Sequence, residues 1–99
     1  MVGRSGFVIV LCLASGAASA ADPAEGRRLA ERWCSSCHVV ASQGGTDAVP
    51  PLESIARDRR RGPEWVRQWL NAPHPPMPNP NLTSAEIDDV VAYLASLPR

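Results

Sequence analysis

The pentapeptide Cys34-Ser35-Ser36-Cys37-His38 constrains the fold of this chain more than any other stretch. Two thiols three residues apart can each add to one vinyl group of the same porphyrin, and the adjacent histidine can then reach the iron from one face. The pattern is typical of a c-type haem attachment site. It predicts one covalently attached haem c per chain.

Three other kinds of site share the Cys34 and Cys37 spacing. A thioredoxin-like redox pair needs a βαβ context, which the hydrophobic pattern does not have. Structural zinc usually takes two Cys-x-x-Cys clusters, and with one cluster His38 and His74 would have to complete the ligand set. A disulfide would close a very short loop with little entropic benefit. A predicted export signal, a helix leading into the motif and a candidate second axial ligand together favour haem.

Residues 1–20 are typical of a secretory signal peptide. Arg4 supplies the positive region, residues 7–14 the apolar region, and Ala18-Ser19-Ala20 the small-x-small cleavage pattern. The apolar stretch is shorter than the roughly 20 residues that span a bilayer. We expect cleavage after Ala20, which leaves residues 21–99 as one domain without a membrane span. Retention of the segment as an uncleaved anchor is the alternative.

Export and size both agree with haem binding. Haem c is attached outside the cytoplasm, and the predicted location is the bacterial periplasm. Removing 20 of the 99 residues leaves 79, a small number for a self-sufficient core, and a large apolar cofactor would supply the missing interior. The formal net charge is zero, and no basic run is interleaved with aromatic residues, so nucleic-acid binding is not expected.

The remaining sequence predicts an all-α domain of three to four helices wrapped on the cofactor. Asp22 and Thr83 are expected N-caps, and glutamates three residues later, Glu25 and Glu86, predict a capping box at each. Glycine and proline pairs predict a loop over residues 39–51, and no strand pattern is present. The helices are expected at about residues 22–33, 52–56, 63–70 and 83–97.

Met77 is the candidate for the second axial ligand, opposite His38. It is the one methionine of residues 21–99, and it lies in the proline-rich segment 74–80. A neutral thioether raises the reduction potential of haem iron, and the flanking prolines lower the entropy of the free loop. His74 is the rival ligand, and a site with neither ligand would leave the sixth coordination position open.

Taken in this order, the residues resemble the class I cytochrome c family, specifically its small bacterial exported members. The resemblance covers about residues 24–97. Its signatures are Gly26 in the first helix, Cys34-Ser35-Ser36-Cys37-His38, Pro50-Pro51-Leu52, the Met77-Pro78 pair, and Val90-Val91-Ala92-Tyr93-Leu94 in the last helix.

The resemblance implies that the N-terminal and C-terminal helices cross, with haem in a crevice and Gly26 against Tyr93. It also implies that a proline carbonyl accepts a hydrogen bond from the ring of His38, which orients the imidazole. Pro50 fits this position best, and Pro51 is the alternative. Trp69 is expected to pack against the porphyrin or to donate its indole N–H to a propionate, with plain core packing as the alternative.

The predicted function is a monomeric, single-haem electron carrier rather than an enzyme. Its partners would be redox proteins, such as a dehydrogenase and a terminal oxidase or reductase. One alternative is a cytochrome subunit bound to a periplasmic dehydrogenase. The other is a peroxidase or ligand-binding haem protein with an open sixth site near His74. The arginines at positions 57, 59, 60 and 61 are candidates to pair with propionates or to steer an acidic partner.

Overall fold

The computed structural model describes residues 3, 5, 6, 8, 9 and 20–98. Most of the predicted signal peptide lies outside these residues, so its cleavage stays a prediction. The described part contains four α-helices and no strand, which confirms the all-α prediction. None of the helices described is long and apolar enough to cross a membrane. The helices are α1 (Pro23–Trp33), α2 (Leu52–Arg57), α3 (Pro63–Asn71) and α4 (Ser84–Ser96).

The N-terminus of α1 is stabilised by Asp22, which precedes the helix, and by Asp89 of α4. The carboxylate of Asp22 accepts a hydrogen bond from the N–H of Ala24, as expected of an N-cap. The capping box predicted at Glu25 does not form, since Glu25 pairs with Arg28 instead, at 2.8 Å. The N–H of Asp22 donates to Oδ1 of Asp89 on α4, at 2.8 Å. A tertiary contact has therefore replaced the local one.

The N-terminus of α4 follows the local prediction. The hydroxyl of Thr83 accepts from the N–H of Glu86, and the carboxylate of Glu86 accepts from the N–H of Thr83. The helix ends before Pro98, which cannot continue it. Its buried face is formed by Ile87, Val90, Val91, Tyr93 and Leu94.

Helices α1 and α4 approach each other closely at Gly26. A Cβ atom on Gly26 would stand 1.9 Å from the carbonyl oxygen of Asp89 and 2.8 Å from Cβ of Tyr93. Glycine is needed here because the two backbones touch. This confirms the predicted contact of Gly26 with Tyr93. Helices α2 and α3 also pack on α4, so the last helix forms the centre of the core.

We predict that Gly26→Val lowers the free energy of unfolding of the haem-loaded protein by about 2–3 kcal/mol or more, because the new side chain overlaps backbone atoms. Guanidinium unfolding measures this. The matched control is Gly62→Ser, since no atom lies within 4 Å of a Cβ at Gly62. Equal unfolding midpoints for the two variants would contradict the packing described at Gly26.

Candidate metal centre

The Cys34–His38 motif forms a compact turn at the C-terminal end of α1. The N–H of Cys34 still bonds to the carbonyl of Ala30, at 2.9 Å, as in the preceding helix. The N–H groups of Cys37 and His38 then both donate to the carbonyl of Cys34, at 3.2 and 2.8 Å. The helix thus continues as a tight turn that keeps both thiols and the imidazole in one short segment.

The two thiols differ in their surroundings. Cys37 is exposed, whereas Cys34 is partly buried and packs against the core. Burial raises the pKa of the free Cys34 thiol to about 11, so before any thioether forms this thiol is neutral at physiological pH. Both cysteines are free of disulfide bonds. Both sulfurs are therefore open to thioether formation.

Zinc binding, one of the alternatives, finds no support in the geometry. Within residues 20–98, no group of three or more His, Cys, Asp or Glu side chains is placed to hold a metal ion. His74 is accordingly not brought to Cys34, Cys37 and His38 in such a cluster.

The loop after the motif folds back and bonds to it. The N–H of Gly45 donates to the carbonyl of Ser35 at 2.7 Å, and that of Thr46 donates to the carbonyl of Cys37 at 3.0 Å. Gly45 has a φ of +80°, and a Cβ atom there would lie 2.4 Å from the backbone nitrogen of Val39. The Gly44-Gly45 pair predicted only a loop, but its positive φ angles let that loop close over the motif.

The ring of His38 is held by a backbone carbonyl. Its Nδ1 lies 2.6 Å from the oxygen of Pro50. A carbonyl oxygen only accepts hydrogen bonds, so Nδ1 carries the proton and the lone pair of Nε2 is left free. Pro51, the alternative, uses its own carbonyl inside the first turn of α2. The N–H of Leu52 donates to the carbonyl of Val39, which ties the start of α2 to the motif.

The sulfur of Met77 is held by a side chain. Met77 is partly buried against the core, and the indole N–H of Trp69 donates to its Sδ, with a distance of 3.0 Å from Nε1 to Sδ. The N–H of Met77 donates to the carbonyl of His74, at 3.0 Å. The indole N–H, for which a propionate was one of the expected partners, is directed at the thioether in this structure.

Two aromatic rings contact the ring of Trp69. The ring of Trp65 stacks on it, with centroids 5.2 Å apart and an interplanar angle of 9°. The ring of His74 contacts it at 4.9 Å, tilted by 46°. The guanidinium of Arg61 lies 5.3 Å from the centroid of the Trp65 ring. The i, i+4 spacing of the two tryptophans puts them on one face of the helix, but the contacts made by His74 and Arg61 were not predicted from the sequence.

The arginines between α2 and α3 are partly neutralised by neighbouring carboxylates. Arg57 lies 3.9 Å from Glu53, and Arg60 and Arg61 lie 3.3 and 3.6 Å from Asp58. The backbone N–H of Arg60 lowers the pKa of Asp58, and the guanidinium groups of Arg60 and Arg61 add to this. Part of the cluster lines a groove of about 360 Å³ whose walls include neither His38 nor Met77.

The predicted site residues thus form two groups on one core. The first group consists of Cys34, Cys37, His38 and Pro50, and the second group consists of Trp69, His74 and Met77. Cys34, Trp69 and Met77 all pack against the same hydrophobic core. Two free thiols followed by a histidine are the groups that attach and ligate haem c, and a thioether is one of its known second ligands, so the residues present fit this cofactor.

Comparison with known proteins identifies the family. The sequence profile described as Cytochrome c matches residues 23–98. The chain belongs to the cytochrome c family. Its length and motif order make it a small class I cytochrome c. Like other members it carries haem c bound covalently, Cys34 and Cys37 fit the C-x-x-C-H motif, and it acts in electron transfer with redox protein partners.

Two individual proteins support the assignment. Cytochrome c-552 of Bradyrhizobium diazoefficiens is 44% identical over 96 residues, which cover 93% of this chain and 92% of that protein. The crystal structure of the c-type cytochrome SorU from Sinorhizobium meliloti matches with a TM-score of 0.59 and 27% identity. That match covers 76% of this chain and 88% of the other. Class I cytochromes c are typically exported proteins.

We predict that Gly45→Ala loosens the loop that bonds to the haem-binding turn. A side chain at this positive φ is strained and overlaps Val39, so the free energy of unfolding should fall by about 1–3 kcal/mol. Hydrogen exchange should also speed up at the Gly45 and Thr46 amides relative to the α4 amides. Unchanged exchange at both amides would contradict the fold-back of this loop. Gly62→Ser serves again as the unstrained control.

Proposed function

We propose that this cytochrome is an exported, monomeric electron carrier, with its haem attached through Cys34 and Cys37 and its iron ligated by His38 and Met77. Haem c supplies reversible one-electron cycling between Fe(III) and Fe(II). The observation that carries the proposal is that a hydrogen bond already orients each donor side chain, to Pro50 in one case and from Trp69 in the other.

His38, which directly follows Cys37, would serve as one ligand of the haem iron. The bond from Nδ1–H to the carbonyl of Pro50 fixes the tautomer and leaves Nε2 as the nitrogen that would ligate the iron. It also raises the basicity of the imidazole, as such bonds do for histidine ligands in general. Backbone bonds from Gly45 and Thr46 hold the rest of the motif, so the ring needs little reorganisation to bind.

Met77 is favoured over His74 as the second ligand. The ring of His74 lies against Trp69, and its carbonyl supports the N–H of Met77. His74 is thus engaged in holding the methionine segment, while the thioether has a lone pair left for a metal. Met77 is also partly buried against the core, whereas His74 is exposed.

Ligation from both faces supports electron carriage rather than catalysis. With His38 and Met77 both bound, no coordination position is left for peroxide or another substrate. Two protein ligands that stay bound in both oxidation states would keep the reorganisation that opposes electron transfer small. Among the described residues, His74 is the candidate distal acid or base that an enzymatic site would use, and its ring packs on Trp69.

The test of the ligand set compares the wild-type protein with Met77→Ala and His74→Ala after export and haem maturation. We expect the oxidised wild-type protein to show the weak long-wavelength sulfur-to-iron charge-transfer band, because a thioether ligates the iron. Met77→Ala should lose the band, and His74→Ala should retain it. Carbon monoxide should bind quickly to reduced Met77→Ala and slowly to the other two proteins.

Other spectra would point to other functions. A low-spin wild-type spectrum without the band, altered by His74→Ala, would indicate bis-histidine ligation. A high-spin spectrum with rapid binding of carbon monoxide would indicate an open site and favour catalysis or ligand sensing. Either result would contradict the proposed ligand pair.

Export can be tested separately by the mass of the mature protein. We predict that the periplasmic fraction contains a chain that begins at Ala21 and carries one haem, because Ala18-Ser19-Ala20 fits signal peptidase cleavage. Intact-mass spectrometry and sedimentation would give the start residue and the monomeric state. Recovery of the full 99-residue chain in the membrane fraction would instead support a retained anchor.

A further inference from the structure

A groove lies between the connection that joins α2 to α3 and the C-terminal half of α4. Its volume is about 360 Å³, which is within the range of roughly 300–1,000 Å³ for pockets that hold ligands. The floor is formed by buried apolar side chains of α3 and α4, namely Val66, Val91 and Leu94. Ala56 and Ala95 add small apolar side chains to the walls. The groove can therefore bury an apolar side chain that a ligand brings with it.

The rim of this groove is basic. Arg57, Arg59 and Arg61 line it, together with the carboxylate of Asp58. Asp58 is already paired with Arg60 and Arg61, and the nearest carboxylate to Arg57 is 3.9 Å away. Arg59 forms no ion pair within the part of the chain that the structure describes. Arg57 and Arg59 are both exposed, so two guanidinium groups are open to carboxylates from outside the chain.

The excess of positive charge in the domain lies in this segment. Residues 57–61 contain four arginines and one aspartate, which gives a formal charge of +3. The other residues of the range 21–99 contain five arginines and nine carboxylates, which gives a formal charge of −4. An acidic ligand is therefore attracted to the rim of the groove and repelled, on balance, by the rest of the surface.

An exposed aromatic ring extends this surface beside the groove. The side chain of Trp65 is 38% exposed, and the guanidinium of Arg61 lies 5.3 Å from the centroid of its ring. Tryptophan and arginine are enriched where proteins bind one another, because each buries a large area and still donates hydrogen bonds. A simple anion would leave both the ring and the apolar floor uncovered. The surface fits a peptide with acidic and apolar side chains better.

We propose that this groove binds an acidic peptide segment of a partner protein, with an apolar side chain on the floor and carboxylates paired with Arg57, Arg59 and Arg61. Arginine clusters recognise acidic motifs in the same way in other peptide-binding domains. The walls include neither His38 nor Met77, so the segment holds the cytochrome to its partner without contacting the proposed iron ligands. Such an attachment raises the effective concentration of the partner near the haem. The proposal goes beyond electron carriage and does not depend on which residue is the second iron ligand.

The test measures the binding of a synthetic peptide to the mature haem protein by titration calorimetry. The peptide has blocked ends and carries one leucine with a pair of glutamates on each side. We expect binding that weakens as the salt concentration rises, because salt screens exposed charges. Two control peptides carry lysines in place of the glutamates, or serine in place of the leucine. Each should bind at least about fivefold more weakly, since one loses the ion pairs and the other the buried side chain.

Variants of the protein locate the site. Arg57→Gln combined with Arg59→Gln should weaken binding of the acidic peptide about fivefold or more, because two ion pairs on the rim are lost. The matched control, Arg27→Gln combined with Arg28→Gln, removes the same charge from exposed positions of α1 outside the groove and should change the affinity less than about twofold. Ala95→Leu narrows the groove and should also weaken binding. Absorption spectra of all these variants should match the wild type.

Three results would each overturn the proposal. They are no binding of the acidic peptide at millimolar concentration, equal binding of the leucine and serine peptides, and an equal loss of affinity in the two double variants. A fourth is binding to phosphatidylglycerol vesicles but not to the peptide, lost with the arginines at 57 and 59, which would indicate a membrane contact instead. None of these results bears on the proposed iron ligands. A wild-type spectrum without the sulfur-to-iron band would contradict those ligands and leave the peptide site intact.

Discussion

The backbone contact between α1 and α4 at Gly26 sets how the first and last helices pack. The carbonyl of Asp89 occupies the space where any other residue would carry a side chain, so the two helices can approach this closely only with glycine at position 26. The carboxylate of Asp89 adds a hydrogen bond to the N–H of Asp22. Because α1 runs from this contact directly to Cys34, the crossing also determines where the haem-binding turn lies on the core.

The two proposed iron ligands are held in different ways. The imidazole of His38 depends on main-chain groups, since Pro50 offers a carbonyl and Gly45 closes the loop through its N–H. A main-chain carbonyl or N–H is still present after most substitutions of its residue. The sulfur of Met77 depends on one side chain, that of Trp69, and so on the identity of a single residue.

Much of the fold could be predicted because its signals are local. Asp22 and Thr83 cap their helices through atoms two or three residues away, and Pro98 stops α4 because it lacks an N–H. The capping box expected at Glu25 failed for the opposite reason. Asp89, 67 residues from Asp22, takes the N–H that Glu25 would have used. Local rules cannot anticipate an acceptor brought in by another helix.

Short segments were enough to predict the cofactor, the helices and the candidate ligands, because cysteine spacing, helix caps and a single methionine within residues 21–99 can be read without a fold. The hydrogen bond from the indole of Trp69 to Met77 and the packing of Gly45 against Val39 could be found only in the folded chain. These contacts depend on the relative positions that helices and loops take when they bury a common core. Which donor bonds to which acceptor therefore depends on their positions in the fold and not on residue type alone.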